Sequence, residues 1–151
     1  MQTDTLPEEM LRAYLGLCAN LWNRRLTSSM PFNEALVCYY IAKAESLGQS
    51  HVTATWLCEQ TQIVKSQMNR ILNTLSEKGI LCRRRSQQDK RLVFLTLNPD
   101  QENLFLQEHC RNLRLVRQLQ EKFGLQRSRE LTALLGDFVE MLQNTDLAEL
   151  K

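Results

Sequence analysis

Residues 51–97 read HVTATWLCEQTQIVKSQMNRILNTLSEKGILCRRRSQQDKRLVFLTL, and the order of elements in this stretch decides the fold. Thr53 is placed to cap a short helix over 54–60, because a threonine oxygen satisfies one of the free amides of an opening turn. Leu57 and Cys58 point inward from that helix. The polar step Thr61-Gln62 breaks the apolar period before Ile63 resumes it, and so short a turn makes the two helices cross steeply. A longer helix follows over 65–78, in which Met68, Ile71, Leu72 and Leu75 form one stripe on a 3.6-residue period. Ser66, Gln67, Asn69, Arg70 and Asn73 occupy its other faces. Gly79 supplies a left-handed stop, with Lys78 at the negative end of the helix dipole.

Beyond the glycine stand Ile80-Leu81-Cys82, then Arg83-Arg84-Arg85, the turn-prone Ser86-Gln87-Gln88-Asp89, Lys90-Arg91 and the strand-like run Leu92-Val93-Phe94-Leu95-Thr96-Leu97. The β-branched and aromatic content on either side of a polar tip predicts a hairpin. Its tip carries five basic side chains against one carboxylate, a local surplus of four positive charges in a chain whose net charge is only +2. The charge is concentrated where a wing meets a phosphate backbone. The whole reads as a winged helix-turn-helix, mainly α with a small β-hairpin wing. Lys65, Ser66, Gln67, Asn69, Arg70 and Asn73 are the candidates for the major groove, since amides, hydroxyls and arginine match the donors and acceptors of base edges. Arg84, Arg85, Lys90 and Arg91 are the candidates for the minor groove or backbone.

The string EKGILCRRRSQQDKRLVFLTLN resembles the wing signature of the MarR family of bacterial winged-helix regulators: a helix ending in Lys-Gly, an arginine three or four residues on, then Asp-x-Arg and a leucine six residues past that arginine. Gly79, Arg83, Asp89, Arg91 and Leu97 match it. The resemblance extends over nearly the whole chain, because the helices before and after fall in the family's order. The sequence departs from the family in two places: Val64 stands where Ser, Thr or Asp usually caps the recognition helix, and Asn98 where Thr usually follows the last leucine. Asp89 matches a wing residue of the family. A carboxylate facing phosphate would be repelled, so its role is to fix Arg91 or the loop. The resemblance also implies a homodimer formed through the terminal helices, on a pseudo-palindromic operator of double-stranded DNA.

The rest of the chain fits that plan. At 151 residues it is long enough for one domain with a dimerisation appendage, and its 43% hydrophobic content excludes wholesale disorder. No apolar run approaches the ~20 residues of a membrane span. Asp4, Glu8 and Glu9 interrupt any signal-peptide layout, so a cytoplasmic protein is expected. Residues 6–48 form two supporting helices, 50–97 the DNA-binding region and 98–151 the C-terminal helices, all within one chain.

The first helix, over 6–26, has Leu11, Tyr14, Leu15, Cys18, Leu21 and Trp22 in one stripe, widened by Met10 and Leu17. That is more apolar surface than a peripheral helix needs. After Thr27-Ser28-Ser29-Met30-Pro31, a helix over 33–47 turns Leu36, Val37, Tyr40, Ile41 and Ala44 inward and stops at Gly48; Tyr39 and Tyr40 are read as core and rim residues. A short strand over 49–52 leads into the helix-turn-helix. Asn98-Pro99-Asp100-Gln101 opens a long helix to about 123 with Leu106, Cys110, Leu113, Val116 and Phe123 on its inner face and a solvated face of Arg111, Arg114 and Arg117. The last helix, over 127–143, carries Leu131, Leu134, Leu135, Phe138, Val139 and Leu142, and Gly136 gives room for another helix. Leu147 and Leu150 continue sparse apolar content to the end.

Five scattered cysteines without a C-x-x-C pair and two distant histidines exclude a zinc framework, and no phosphate loop or Ser-His-Asp arrangement is present. No cofactor, metal or enzyme follows. Cys38, Cys58 and Cys82 sit among apolar neighbours and read as small hydrophobes. A winged helix also serves as a protein-interaction module, with the basic loop on an acidic partner; the salt dependence of duplex binding separates the two readings. MarR-like regulators answer to small aromatic or amphipathic ligands, or to oxidation of a cysteine. Tyr14, Cys18, Trp22 and Tyr40 are the candidate effector pocket. Residues 17–22 also resemble the reactive-cysteine segment of the family's organic-peroxide sensors, although Phe32 and Ala35 stand where those sensors place tyrosines.

Overall fold

The computed structural model describes residues 5–23, 30–100 and 102–146. Among them the order is α1 Thr5–Asn23, α2 Phe32–Ser46, α3 Ala54–Thr61, α4 Lys65–Glu77, β1 Leu81–Arg85, β2 Val93–Leu97, α5 Glu102–Phe123 and α6 Leu125–Asn144. The expected helical residues 24–26, the connector 27–29, Gln101, Leu147 and Leu150 lie outside the described residues, as do the side chains of Leu21 and Trp22. The chain divides into two compact units, residues 1–110 and 111–151.

Local chemistry sets the ends of the elements in the first unit. Pro31, with φ −56°, precedes α2, where the missing amide costs nothing. Thr53 caps α3: its Oγ1 accepts from the Trp56 N–H at 3.2 Å. Gln62 then turns left-handed at φ 58°, and only residues 62–64 separate α3 from α4. α4 is closed by Gly79, two residues past its end, whose φ of +70° lets the Ile80 N–H reach the Leu75 carbonyl at 2.9 Å and the Gly79 N–H reach that of Ser76 at 3.0 Å. This double closure satisfies carbonyls that the helix end leaves open.

α2, α3, α4 and the hairpin enclose one core. Val37, Cys38, Ile41, Leu57, Met68 and Leu75 are wholly buried, with Ile71, Leu72, Leu95 and Leu97 beside them. The α4 stripe expected from periodicity is the buried face of that helix. Each such side chain adds about 1.5–3 kcal/mol by leaving water. The strands are antiparallel, with Leu81 opposite Leu97 and Arg85 opposite Val93. Two side chains bind α2 to this assembly. Glu45 Oε1 accepts from the Leu97 N–H at 3.1 Å, and Glu34, 8% exposed, pairs with Lys78 at 2.7 Å. That pair joins the positive end of α2 to the negative end of α4.

Several expectations are corrected. Residues 49–52 form no strand; a single bond from the Leu95 N–H to the Val52 carbonyl, 2.9 Å, runs from β2 to this segment. Cys82 is exposed rather than apolar-packed, because on a strand it faces away from buried Leu81, while Cys38 is buried and Cys58 partly so. Tyr39 is exposed and Tyr40 half-buried. Among the described side chains of α5 the buried ones are Phe105 and Glu108, one step out of phase with the expected Leu106, Cys110 and Leu113, which are exposed. His109 stacks on Phe105 at 5.8 Å and lies 6.0 Å from the Tyr39 ring.

The second unit turns at Gly124, between the end of α5 and α6. α6 buries no residue: Leu131, Leu134, Leu135, Val139 and Leu142 are exposed. An apolar hollow of about 830 Å³ lies between Val116, Leu119 and Phe123 of α5 and Leu125 and Leu131 of α6. A Cβ built on Gly136 would meet no atom within 4 Å beyond the helix's own backbone. No described helix is long and apolar enough to cross a membrane.

Candidate nucleic-acid interface

Burial of Met68, Ile71, Leu72 and Leu75 decides what α4 presents to solvent. The remaining positions follow from the 100° turn per residue: Lys65, Ser66, Asn69, Arg70 and Asn73 are exposed, and Gln67 is half-buried. The helix start has no side-chain cap at Val64, so its first amides are not satisfied by a side chain there. Open amides with Lys65 and Ser66 beside them are suited to a phosphate oxygen.

The wing is ordered from within. The Ser86 N–H donates to the Leu92 carbonyl at 2.9 Å, and the Leu92 N–H to the Asp89 carbonyl at 3.0 Å. Ser86 Oγ accepts from the Gln88 and Asp89 amides, both at 3.2 Å. Asp89 Oδ1 accepts from the Arg91 N–H at 2.9 Å. The carboxylate therefore bonds the Arg91 backbone at the turn, while the Arg91 side chain is exposed. Arg84, Arg85 and Lys90 are exposed as well. Arg84 and Arg85 border a hollow of about 670 Å³ whose other walls include His51, Thr53 and Phe94. The His51 ring meets Phe94 edge-on at 4.6 Å.

Two partnerships were not legible in the sequence. Arg83 Nη2 donates to Asn73 Oδ1 at 2.8 Å, so one side chain of the candidate reading set is joined to the wing. The Glu34–Lys78 pair is the other. An acid in a first helical turn signals only a dipole partner, not a part-buried bond to a residue 44 positions away. Burial, aided by the Glu34 carboxylate, pushes the neighbouring Cys38 thiol up to about 12.

Of the expected effector residues, Tyr14 and Cys18 meet one turn apart on α1, where a hydrogen bond to Cys18 raises the Tyr14 phenol above its usual range. Tyr40 packs edge-on against Tyr39 at 5.6 Å and Trp56 at 6.4 Å. Among the described residues no three His, Cys, Asp or Glu side chains group as a metal site requires.

The sequence profile of the family described as Transcriptional regulator SarA/Rot matches residues 26–107, more than half of the chain and the whole stretch that holds α2 to β2. No curated protein matches the chain in sequence. Among solved structures, the PcaV transcriptional regulator of Streptomyces coelicolor, in complex with its natural ligand, has a TM-score of 0.70 at 15% identity, covering 93% of this chain and 96% of that one. FabT of Streptococcus pneumoniae, in complex with DNA, has a TM-score of 0.67 at 19% identity over 93% of this chain and 97% of that one. A mutant of MarR from E. coli has a TM-score of 0.64 at 19% identity over 85% of this chain and 96% of that one. At such identities the likeness is one of fold, and it is the MarR-type winged-helix fold. The chain belongs to the SarA/Rot family of transcriptional regulators.

Proposed function

We propose that the protein is a homodimeric, sequence-specific DNA-binding repressor acting on a pseudo-palindromic operator in the bacterial cytoplasm. The observation that carries the reading is the pairing of an exposed polar face on α4 with a basic wing. Lys65, Ser66, Asn69 and Arg70 stand out from a helix whose apolar side is fully used in the core. Gln67 and Asn73 flank them, the first half-buried and the second bonded to Arg83. The solved complex of FabT with DNA supports the same use. Dimerisation through α1, α5 and α6 is supported by the exposed leucines of those helices, since apolar stripes of that length call for a covering surface.

The test is binding selection from random duplex DNA, followed by titration of the selected duplex at several salt concentrations. A dimer using Arg84, Arg85, Lys90 and Arg91 of each protomer on phosphates gives a slope of log affinity against log salt of about −7. A flat slope with no selected sequence refutes the reading in favour of a protein-interaction module. A small aromatic or amphipathic effector is a second part of the proposal. It is favoured by the ligand-bound state of PcaV and by the adjacent Tyr14 and Cys18 on α1. A thermal-shift series with aromatic carboxylates checks it.

A further inference from the structure

We infer that Arg83 is a positioning residue that joins the wing to the recognition helix through Asn73. This rests on the DNA-binding reading above. The wing needs such a tie. Of the β1 residues only Leu81 is buried, and Cys82, Arg83, Arg84 and Arg85 are all exposed, so the outer part of that strand is held through its pairing with β2 and puts no side chain of its own into the core. A two-stranded hairpin is marginal by itself in water.

Arg83 lies on the same face of β1 as Leu81, because side chains alternate along a strand. It is therefore the next residue of that face beyond the core, where α4 is still within reach of a long side chain. Its Nη2 donates to Asn73 Oδ1 at 2.8 Å. Asn73 stands one helical turn past Asn69 and Arg70, on the exposed side of α4. The bond thus sits between the residues that would read bases and the strand that carries Arg84 and Arg85. It fixes the distance between the two, and a guanidinium donor makes it stronger than a neutral hydrogen bond. Arg84 and Arg85 differ from Arg83 in this respect, since neither guanidinium bonds another described residue.

The test is a double-mutant cycle on affinity for the selected duplex, with Arg83→Ala, Asn73→Ala and both together, at several salt concentrations, alongside thermal unfolding of each variant. Each single change is expected to weaken binding about three- to tenfold, the range of one lost hydrogen bond. The double variant should be no weaker than the poorer single one, because the two act through one bond. Unfolding temperatures stay within a degree or two of the parent, and Asn73→Ala leaves the salt slope unchanged. Independent, multiplying losses overturn the tie. So does a neutral Asn73→Ala beside an Arg83→Ala whose salt slope falls by about one, which marks a phosphate contact instead. A parent that selects no duplex refutes the DNA-binding reading itself, and the positioning role falls with it; a parent that binds with an additive cycle refutes only the tie.

Discussion

Asp89 is the one negative charge in a strongly basic wing, and replacing it separates two effects of opposite sign. Its Oδ1 accepts from the Arg91 N–H at 2.9 Å, in a loop otherwise held by Ser86 and Leu92. Loss of that bond costs about 1 kcal/mol of loop order, the middle of the net range for a hydrogen bond. Loss of the charge works the other way: the repulsion of a phosphate at about 8 Å through water is about 0.5 kcal/mol before screening. Asp89→Ala loses both, so duplex affinity falls by about 0.5 kcal/mol, roughly twofold. Asp89→Asn keeps an acceptor oxygen and loses only the charge, so affinity rises about twofold. The ratio of the two variants is the clean quantity, because the charge cancels: about fivefold in favour of Asn, the equivalent of one hydrogen bond. Fluorescence anisotropy with the selected duplex at low salt measures it. Equal affinities for the two variants would show that the bond to Arg91 has no part in binding, and an Asp89→Ala protein tighter than the parent would show that the carboxylate acts only as a repulsive charge.

Other consequences are open to measurement. Arg70→Ala should cost on the order of 1–3 kcal/mol on the selected duplex with little change on a scrambled one, whereas Arg91→Ala should weaken both alike and lower the salt slope; competition assays separate the two patterns. Light scattering of the full chain at micromolar concentration should give a dimer, and Leu134→Glu, which places a charge on an exposed apolar position of α6, should shift it toward monomer with the far-ultraviolet spectrum unchanged. Mass mapping after iodoacetamide at pH 8 should find Cys82 alkylated and Cys38 protected, because burial holds that thiol neutral up to about pH 12 and shields it as well; rapid alkylation of Cys38 in the folded protein would contradict its placement. Cys18→Ser should retain duplex binding, and insensitivity of both parent and variant to stoichiometric organic peroxide is expected; release of the parent alone, reversed by thiol, would instead make Cys18 a sensor.

The winged helix-turn-helix half of the chain was legible because each of its elements announces itself locally. The Met68, Ile71, Leu72, Leu75 stripe has one period and one meaning, and Thr53 and Gly79 bracket the two helices with side-chain and backbone chemistry that few other places in a chain require. Features that depend on a partner distant in sequence were not legible. Nothing in the sequence joins Glu34 to Lys78, and Arg83 stands out only as a match to the wing signature until Asn73 is found at the end of its fork. Cys82 shows how a single residue of register decides burial in a strand, since its apolar neighbours Leu81 and Ile80 are in the core and it is not.

The terminal helices pose a different problem, because an apolar stripe says that a face must be covered without saying by what. In α5 two such faces overlap. Phe105 and Glu108 are buried, while Leu106, Leu113 and Val116, spaced seven and three residues apart, remain exposed. Sequence periodicity alone picks the longer stripe as the inner one, yet its side chains are exposed. That inversion is what the proposed dimer requires. A helix that spent its longer apolar face on its own chain would have nothing left to pair with, whereas here α1, the outer face of α5 and all of α6 keep theirs. Covered by a second copy about a two-fold axis, these faces would hold the two α4 helices at a fixed separation. The spacing of the operator's half-sites, about one helical turn of ~34 Å or a multiple of it, would then be set by helices that never touch DNA.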